Sequence, residues 1–160
     1  MAMNDLPQPR HPRGRRLIPV YRQALQAQQQ ALAEWGQLQQ KLQQEEEQRQ
    51  QLLDYADDYR RQITAPSTGL IQSATIHNTL GFLLQVEQAV AGQAQQINLL
   101  KARIERAREL YLSRRGKSEG LLRLIEKLDL EWDQQQLKAE QRQADEWANR
   151  AAFQRLQGQS

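Results

Sequence analysis

The chain has 160 residues, no cysteine, 6% aromatic residues and a formal net charge of +3. Its mean hydropathy of −0.86 leaves little apolar surface for a broad core but enough for a one-dimensional seam. No disulfide framework or thiolate metal site can form without cysteine. No stretch approaches the ~18 apolar residues of a membrane span, and no signal-peptide core is present, so a soluble cytoplasmic chain is expected.

Residues 1–16 are rich in Pro and Arg, with Pro7, Pro9, Pro12, Arg10, Arg13, Arg15 and Arg16. They read as a disordered tail. A helix is expected over 17–64. Its apolar positions fall at alternating spacings of three and four, the heptad signature of a coiled-coil seam: Tyr21, Ala24, Gln28, Ala31, Trp35, Leu38, Leu42, Glu45, Arg49, Leu52, Ala56, Tyr59 and Ile63. Of 29 glutamines in the chain, 13 lie between Gln23 and Gln51. Glutamine forms helices well and here covers the solvated faces. The competing reading of that segment, a Gln-rich disordered tract, does not account for the regular Ala31, Trp35, Leu38, Leu42 stripe.

A loop is expected at 65–69, Ala65-Pro66-Ser67-Thr68-Gly69, where Pro and Gly break the helix. A second helix is expected over 70–156. Its seam runs Leu83, Val86, Val90, Gln93, Ile97, Leu100, Ile104, Ala107, Tyr111 and Arg114, and continues through Leu121, Ile125, Leu128 and Trp132. No proline interrupts 20–65 or 67–160. The fold class is therefore all-α, a long antiparallel two-helix coiled-coil hairpin with an overhanging C-terminal helix, because a short loop requires antiparallel neighbours. One register aligns both seams throughout. It sets Leu42 against Gln93, Trp35 against Leu100, Ala24 against Tyr111 and Tyr21 against Arg114.

In that register the first helix runs out near Arg114. Gly116 and Gly120 then mark a junction where bending or fraying is expected. Leu121, Ile125, Leu128 and Trp132 would be uncovered and would mark a partner face. The alternatives are back-packing by the Arg-Pro tail, or a second copy of the chain. Basic residues cluster at 10–22 and 101–117, acidic ones at 45–58. The expected register gathers the basic groups at the open end, which suits an acidic partner.

The residues for catalysis are missing. His11 and His77 are the only histidines, too few for a His-based metal site. No Gly-rich phosphate loop follows a strand, and no strand is predicted. The acid pairs Asp57-Asp58 and Asp145-Glu146 lack a concave pocket. No enzyme activity, cofactor or small-molecule substrate is expected. The basic tail has no interleaved aromatics for base stacking, so a nucleic-acid partner is not expected either.

Three stretches carry a resemblance. Leu52-Leu53-Asp54-Tyr55-Ala56-Asp57-Asp58-Tyr59-Arg60 closes the first helix, and Phe82-Leu83-Leu84-Gln85-Val86-Glu87-Gln88-Ala89-Val90 opens the second. Asp145-Glu146-Trp147-Ala148-Asn149-Arg150-Ala151-Ala152 lies near the C-terminus. In this order and spacing they resemble the FliJ family, the stalk proteins of the flagellar type III export apparatus. The resemblance spans about residues 20–155. It implies a non-enzymatic stalk that sits in the pore of the hexameric export ATPase FliI. It further implies contact with the export gate protein FlhA, help to export chaperones, and a cytoplasmic location peripheral to the inner membrane.

On this chain the family's gate-contacting face falls on Gln48, Leu52, Tyr55, Tyr59, Phe82, Val86, Ala89 and Gln93, with Gln93 standing where the family has His. Contacts to the ATPase ring are expected from Leu121, Ile125, Leu128 and Trp132 and from Asp145, Glu146, Trp147 and Arg150. Two rivals are the equivalent stalk of a virulence-type injectisome and a coiled-coil scaffold that dimerises through the overhang.

Overall fold

The computed structural model describes residues 5–64 and 73–158. Two helices account for nearly all of them: α1 (Pro12–Thr64) and α2 (Ser73–Gln157). There is no strand among the described residues. The all-α expectation holds. The loop expected at 65–69 and the helix start expected at 70 lie outside the described residues.

α1 begins at Pro12, which moves the expected start at 17 and shortens the expected tail. The local chemistry explains why. Proline suits the first helical position, where its missing N–H would have no partner. His11 precedes it, and its Nδ1 accepts a hydrogen bond from the Arg13 N–H at 3.0 Å, as a side-chain N-cap does. Starting early places Pro19 inside the helix, where it removes one rung of the hydrogen-bond ladder. α2 runs as helix straight through Gly116 and Gly120.

The chain divides into two compact units. One joins Met1–Gln28 to Ser113–Ser160, and the other is Gln29–Leu112. Within each, a stretch of α1 lies antiparallel to a stretch of α2.

In the first unit Tyr21, Ala24, Ile125 and Leu128 are buried, Ile125 at 1% exposure. Ser118 is also buried. Its hydroxyl sits within reach of two acceptors, Gln28 Oε1 and the Arg115 carbonyl. The segment before α1 is fastened to α2. The backbone N–H groups of Arg10 and His11 both donate to Asp129 Oδ1, at 2.9 and 3.0 Å. The Arg10 guanidinium grips Asp133 through Nε at 3.0 Å and Nη2 at 2.6 Å, a two-point pairing that fixes geometry as well as charge. His11 meets Trp132 edge-on at 5.5 Å. Pro9 is buried beside Gly14, where an added Cβ would stand 3.0 Å from the Pro9 Cβ. Only glycine lets the segment lie that close. Leu121, Ile125, Leu128 and Trp132 are thus covered by the chain's own N-terminal part, which corrects their expected exposure.

In the second unit Ala31, Ala56, Leu83, Val86, Ile97 and Leu100 are buried. Trp35 stacks on Tyr111 at 5.6 Å, and Gln93 Nε2 donates to the Glu45 carbonyl at 3.2 Å. Both contacts correct the expected register, which set Trp35 against Leu100 and Leu42 against Gln93. In the first unit Gln28 meets Ser118 and Arg10 meets Asp133, a displacement in the same sense. The physical reason is that a seam repeating every seven residues is unchanged when one helix slides by about one heptad. Only the turn and the polar layers distinguish the alternatives.

Candidate functional site

The most chemically distinctive surface lies in the second unit. Tyr55 and Tyr59 sit one turn apart on α1, so their rings share a face. Their centroids are 5.0 Å apart. Phe82 of α2 closes the group, 5.9 Å from Tyr55 and 4.9 Å from Tyr59. The two phenol oxygens lie 3.5 Å apart. That hydrogen bond, the charge on Tyr55 and some burial raise the Tyr59 pKa above its ordinary value. Tyr55 remains 48% exposed, so a large aromatic face is offered to solvent while its neighbours hold its position.

Next to the aromatic group runs a groove of about 450 Å³ lined by Gln48, Gln51, Leu52, Tyr55, Ala89 and Gln93. Beneath it Leu52, Tyr59, Phe82 and Val90 pack on the buried Ala56, Leu83 and Val86. Gln93 has its amide N–H engaged by Glu45, while its Oε1 is buried without a hydrogen-bond partner. A buried carbonyl left unpaired is costly, and a donor supplied from outside would relieve it.

The structure brings the expected gate-contact residues together. Gln48, Leu52, Tyr55, Ala89 and Gln93 share the groove, Tyr59 and Phe82 flank it, and Val86 lies in the core below. Sequence reasoning missed Gln51 as a groove wall. The signal was its place one turn ahead of Tyr55.

The expected ring-contact residues separate into two sets. Leu121, Ile125, Leu128 and Trp132 face the core of the first unit. Asp145, Glu146, Trp147 and Arg150 lie on a stretch of α2, residues 134–157, in which every residue is exposed. Trp147 is 75% exposed and Phe153 62%. Neither Asp145 nor Glu146 nor Arg150 has an ion-pair partner among the described residues. This stretch is a helix with apolar and charged groups and no cover among the described residues. Sequence reasoning also missed Asp129 and Asp133, which stand one turn apart, as acids on one helix face do, and receive the N-terminal segment.

No described helix is long and apolar enough to cross a membrane. Among the described residues no three acidic or histidine side chains gather as a metal site would need.

A family model described as Flagellar FliJ protein matches residues 13–157. No curated protein and no solved structure matched the chain. The match runs through both units, from the first turn of α1 to the end of α2, and the chain therefore belongs to the FliJ family, the non-catalytic helical proteins of the flagellar export apparatus.

Proposed function

We propose that this chain is the stalk that links the hexameric export ATPase FliI to the export gate protein FlhA, and that it assists export chaperones at the same apparatus. The observation that carries the reading is the combination of family membership over 13–157 with two separate unpartnered surfaces. One is the groove beside Tyr55, Tyr59 and Phe82, which we assign to the gate. The other is the uncovered end of α2, with Asp145, Glu146, Trp147 and Arg150, which we assign to the ATPase ring. Leu121, Ile125, Leu128 and Trp132 then serve the ring only indirectly, by holding the first unit together. On this reading the chain works at the cytoplasmic side of the inner membrane.

The test is ATP hydrolysis and hexamer formation by the cognate export ATPase, with and without the full chain. Stimulation that is lost in Trp147→Ala and retained in Tyr55→Ala supports the assignment. Gate binding should show the reverse pattern, because an aromatic face half in water contributes on the order of 1.5–3 kcal/mol when a partner covers it. A folded chain that neither stimulates nor binds the ATPase would sink the stalk reading and leave a scaffold.

A further inference from the structure

A second groove of the Gln29–Leu112 unit is unused by this reading. Lys41 and Glu45 of α1 form one wall, and Gln96, Leu99, Arg103 and Arg106 of α2 form the other. It encloses about 310 Å³. Leu99 is 60% exposed, and Leu110, further along the same face, is 42% exposed. Among the described residues none of Lys41, Arg103 and Arg106 has an ion-pair partner. Glu45, the one acid present, is engaged by Gln93.

The spacing identifies the shape of the occupant. Gln96, Leu99, Arg103, Arg106 and Leu110 recur at intervals of three and four. They form a second stripe, apolar at Leu99 and Leu110 and polar or basic at Gln96, Arg103 and Arg106, set one residue off the positions Ile97, Leu100, Ile104, Ala107 and Tyr111 of the seam. A stripe of helical period beside the buried seam suits a second helix, with its apolar positions taking the partner's apolar stripe and its basic ones the partner's acids. We propose that this groove docks a helix of a partner protein, amphipathic and acidic, as the third member of a three-helix layer. Leu99 and Leu110 receive its apolar stripe. Lys41 and the two arginines, standing on opposite walls, pair with acids on either side of that stripe. Charge on such a rim sets specificity and association rate.

Concavity argues against a lipid surface, since a flat bilayer does not enter a groove with cations on both walls. A second copy of this chain is the other candidate, because Glu47, Asp54 and Asp58 also lack cationic partners. Their face of α1 reads Glu47, Gln51, Asp54, Asp58. It offers nothing apolar to Leu99 and Leu110, and the uncovered end of α2 sets Lys138, Arg142, Arg150 and Arg155 beside its acids, so the acidic partner is a different helix.

The experiment titrates the full chain into a fluorescein-labelled helical peptide with Leu at its a and d positions and Glu at e and g. The controls are the same composition with the heptad order scrambled, and a Lys-for-Glu version. Salt-sensitive binding of the ordered acidic peptide alone is expected. It should weaken by about tenfold or more in R103E/R106E, with K41E and Leu99→Gln each giving a smaller loss. Circular dichroism confirms that each variant keeps its helices. Equal binding of the scrambled peptide, or unchanged binding by R103E/R106E and K41E, overturns the proposal. So does equivalent arginine-dependent pelleting with phosphatidylglycerol vesicles, which would make the surface a lipid site. Sedimentation of the chain alone as a dimer that R103E/R106E dissociates overturns it in favour of self-association.

Discussion

Two consecutive stretches of α2 in the first unit carry similar residues to opposite ends. Residues 118–132 hold Ile125 and Leu128, both buried, under the N-terminal part of the chain. Residues 134–157 hold Leu137, Trp147, Phe153 and Leu156, all more than half exposed. The earlier stretch is consumed by the fold, and the later one is left for something else. Hydrophobicity alone does not mark a binding surface. What marks it is hydrophobicity that the described residues leave uncovered.

The comparison breaks most directly at Ile125. Replacing it with Ala leaves a cavity in the first unit, with an expected loss of about 2–4 kcal/mol in urea denaturation. An unchanged midpoint would mean that α1 does not cover this stripe. Asp129→Ala comes next. It leaves the Arg10 and His11 N–H groups without their acceptor and should cost about 1–2 kcal/mol, with faster proteolysis ahead of Pro12. Wild-type stability and protection in that variant would disprove the fastening.

Gly120→Ala sharpens the picture in the other direction. Nothing lies within 4 Å of an added Cβ there, and the position is helical. Stability should rise by about 0.5–1 kcal/mol, and a fall in thermal midpoint would show that the helix is interrupted at this point.

A smaller effect is expected at Tyr21, where burial, with help from the charge of Glu126, raises the phenol pKa. The folded state holds that proton more tightly than the unfolded one. The resulting stability is therefore fully present below the unfolded value of about 10 and is lost as pH rises through the folded pKa. Tyr21→Phe should unfold at a higher pH than wild type in an alkaline titration. Tyr59 shifts in the same direction, so the informative quantity is the difference between the two proteins. Trp147→Ala closes the series. Its stability should stay within about 0.5 kcal/mol of wild type while stimulation of the export ATPase falls. A large loss of stability would place Trp147 in a core the structure does not contain.

Much of this was readable in advance. Every seam position named on α1 from Tyr21 to Ile63 is buried or half-buried except Arg49, and on α2 from Leu83 to Trp132 except Arg114. Periodicity sees faces, and the faces were right. Ser118 belongs to the same seam and escaped notice because a hydroxyl between Gly116 and Gly120 reads as a break. The register escaped for a deeper reason. Apolar layers look alike after a slide of about one heptad, and the turn that would choose between them lies outside the described residues. The fastening of residues 9–11 stood only as an alternative, back-packing by the tail, because Pro and Arg in a terminal stretch have the composition of a disordered segment. Only the His11-Pro12 start and the Asp129, Asp133 pair hinted otherwise. The groove beside Tyr55 was reached through resemblance, and no periodicity argument would have chosen it.

The polar layers have a consequence of their own. Leucine against leucine is a tooth that fits any notch. Gln28 with Ser118, and Glu45 with Gln93, fit one notch each, because a slide would bury each amide against hydrocarbon. Each unit thus carries its own key, cut in two residues and separate from its adhesive. Evolution can lengthen or retune the apolar teeth freely, so long as it leaves the keys in place.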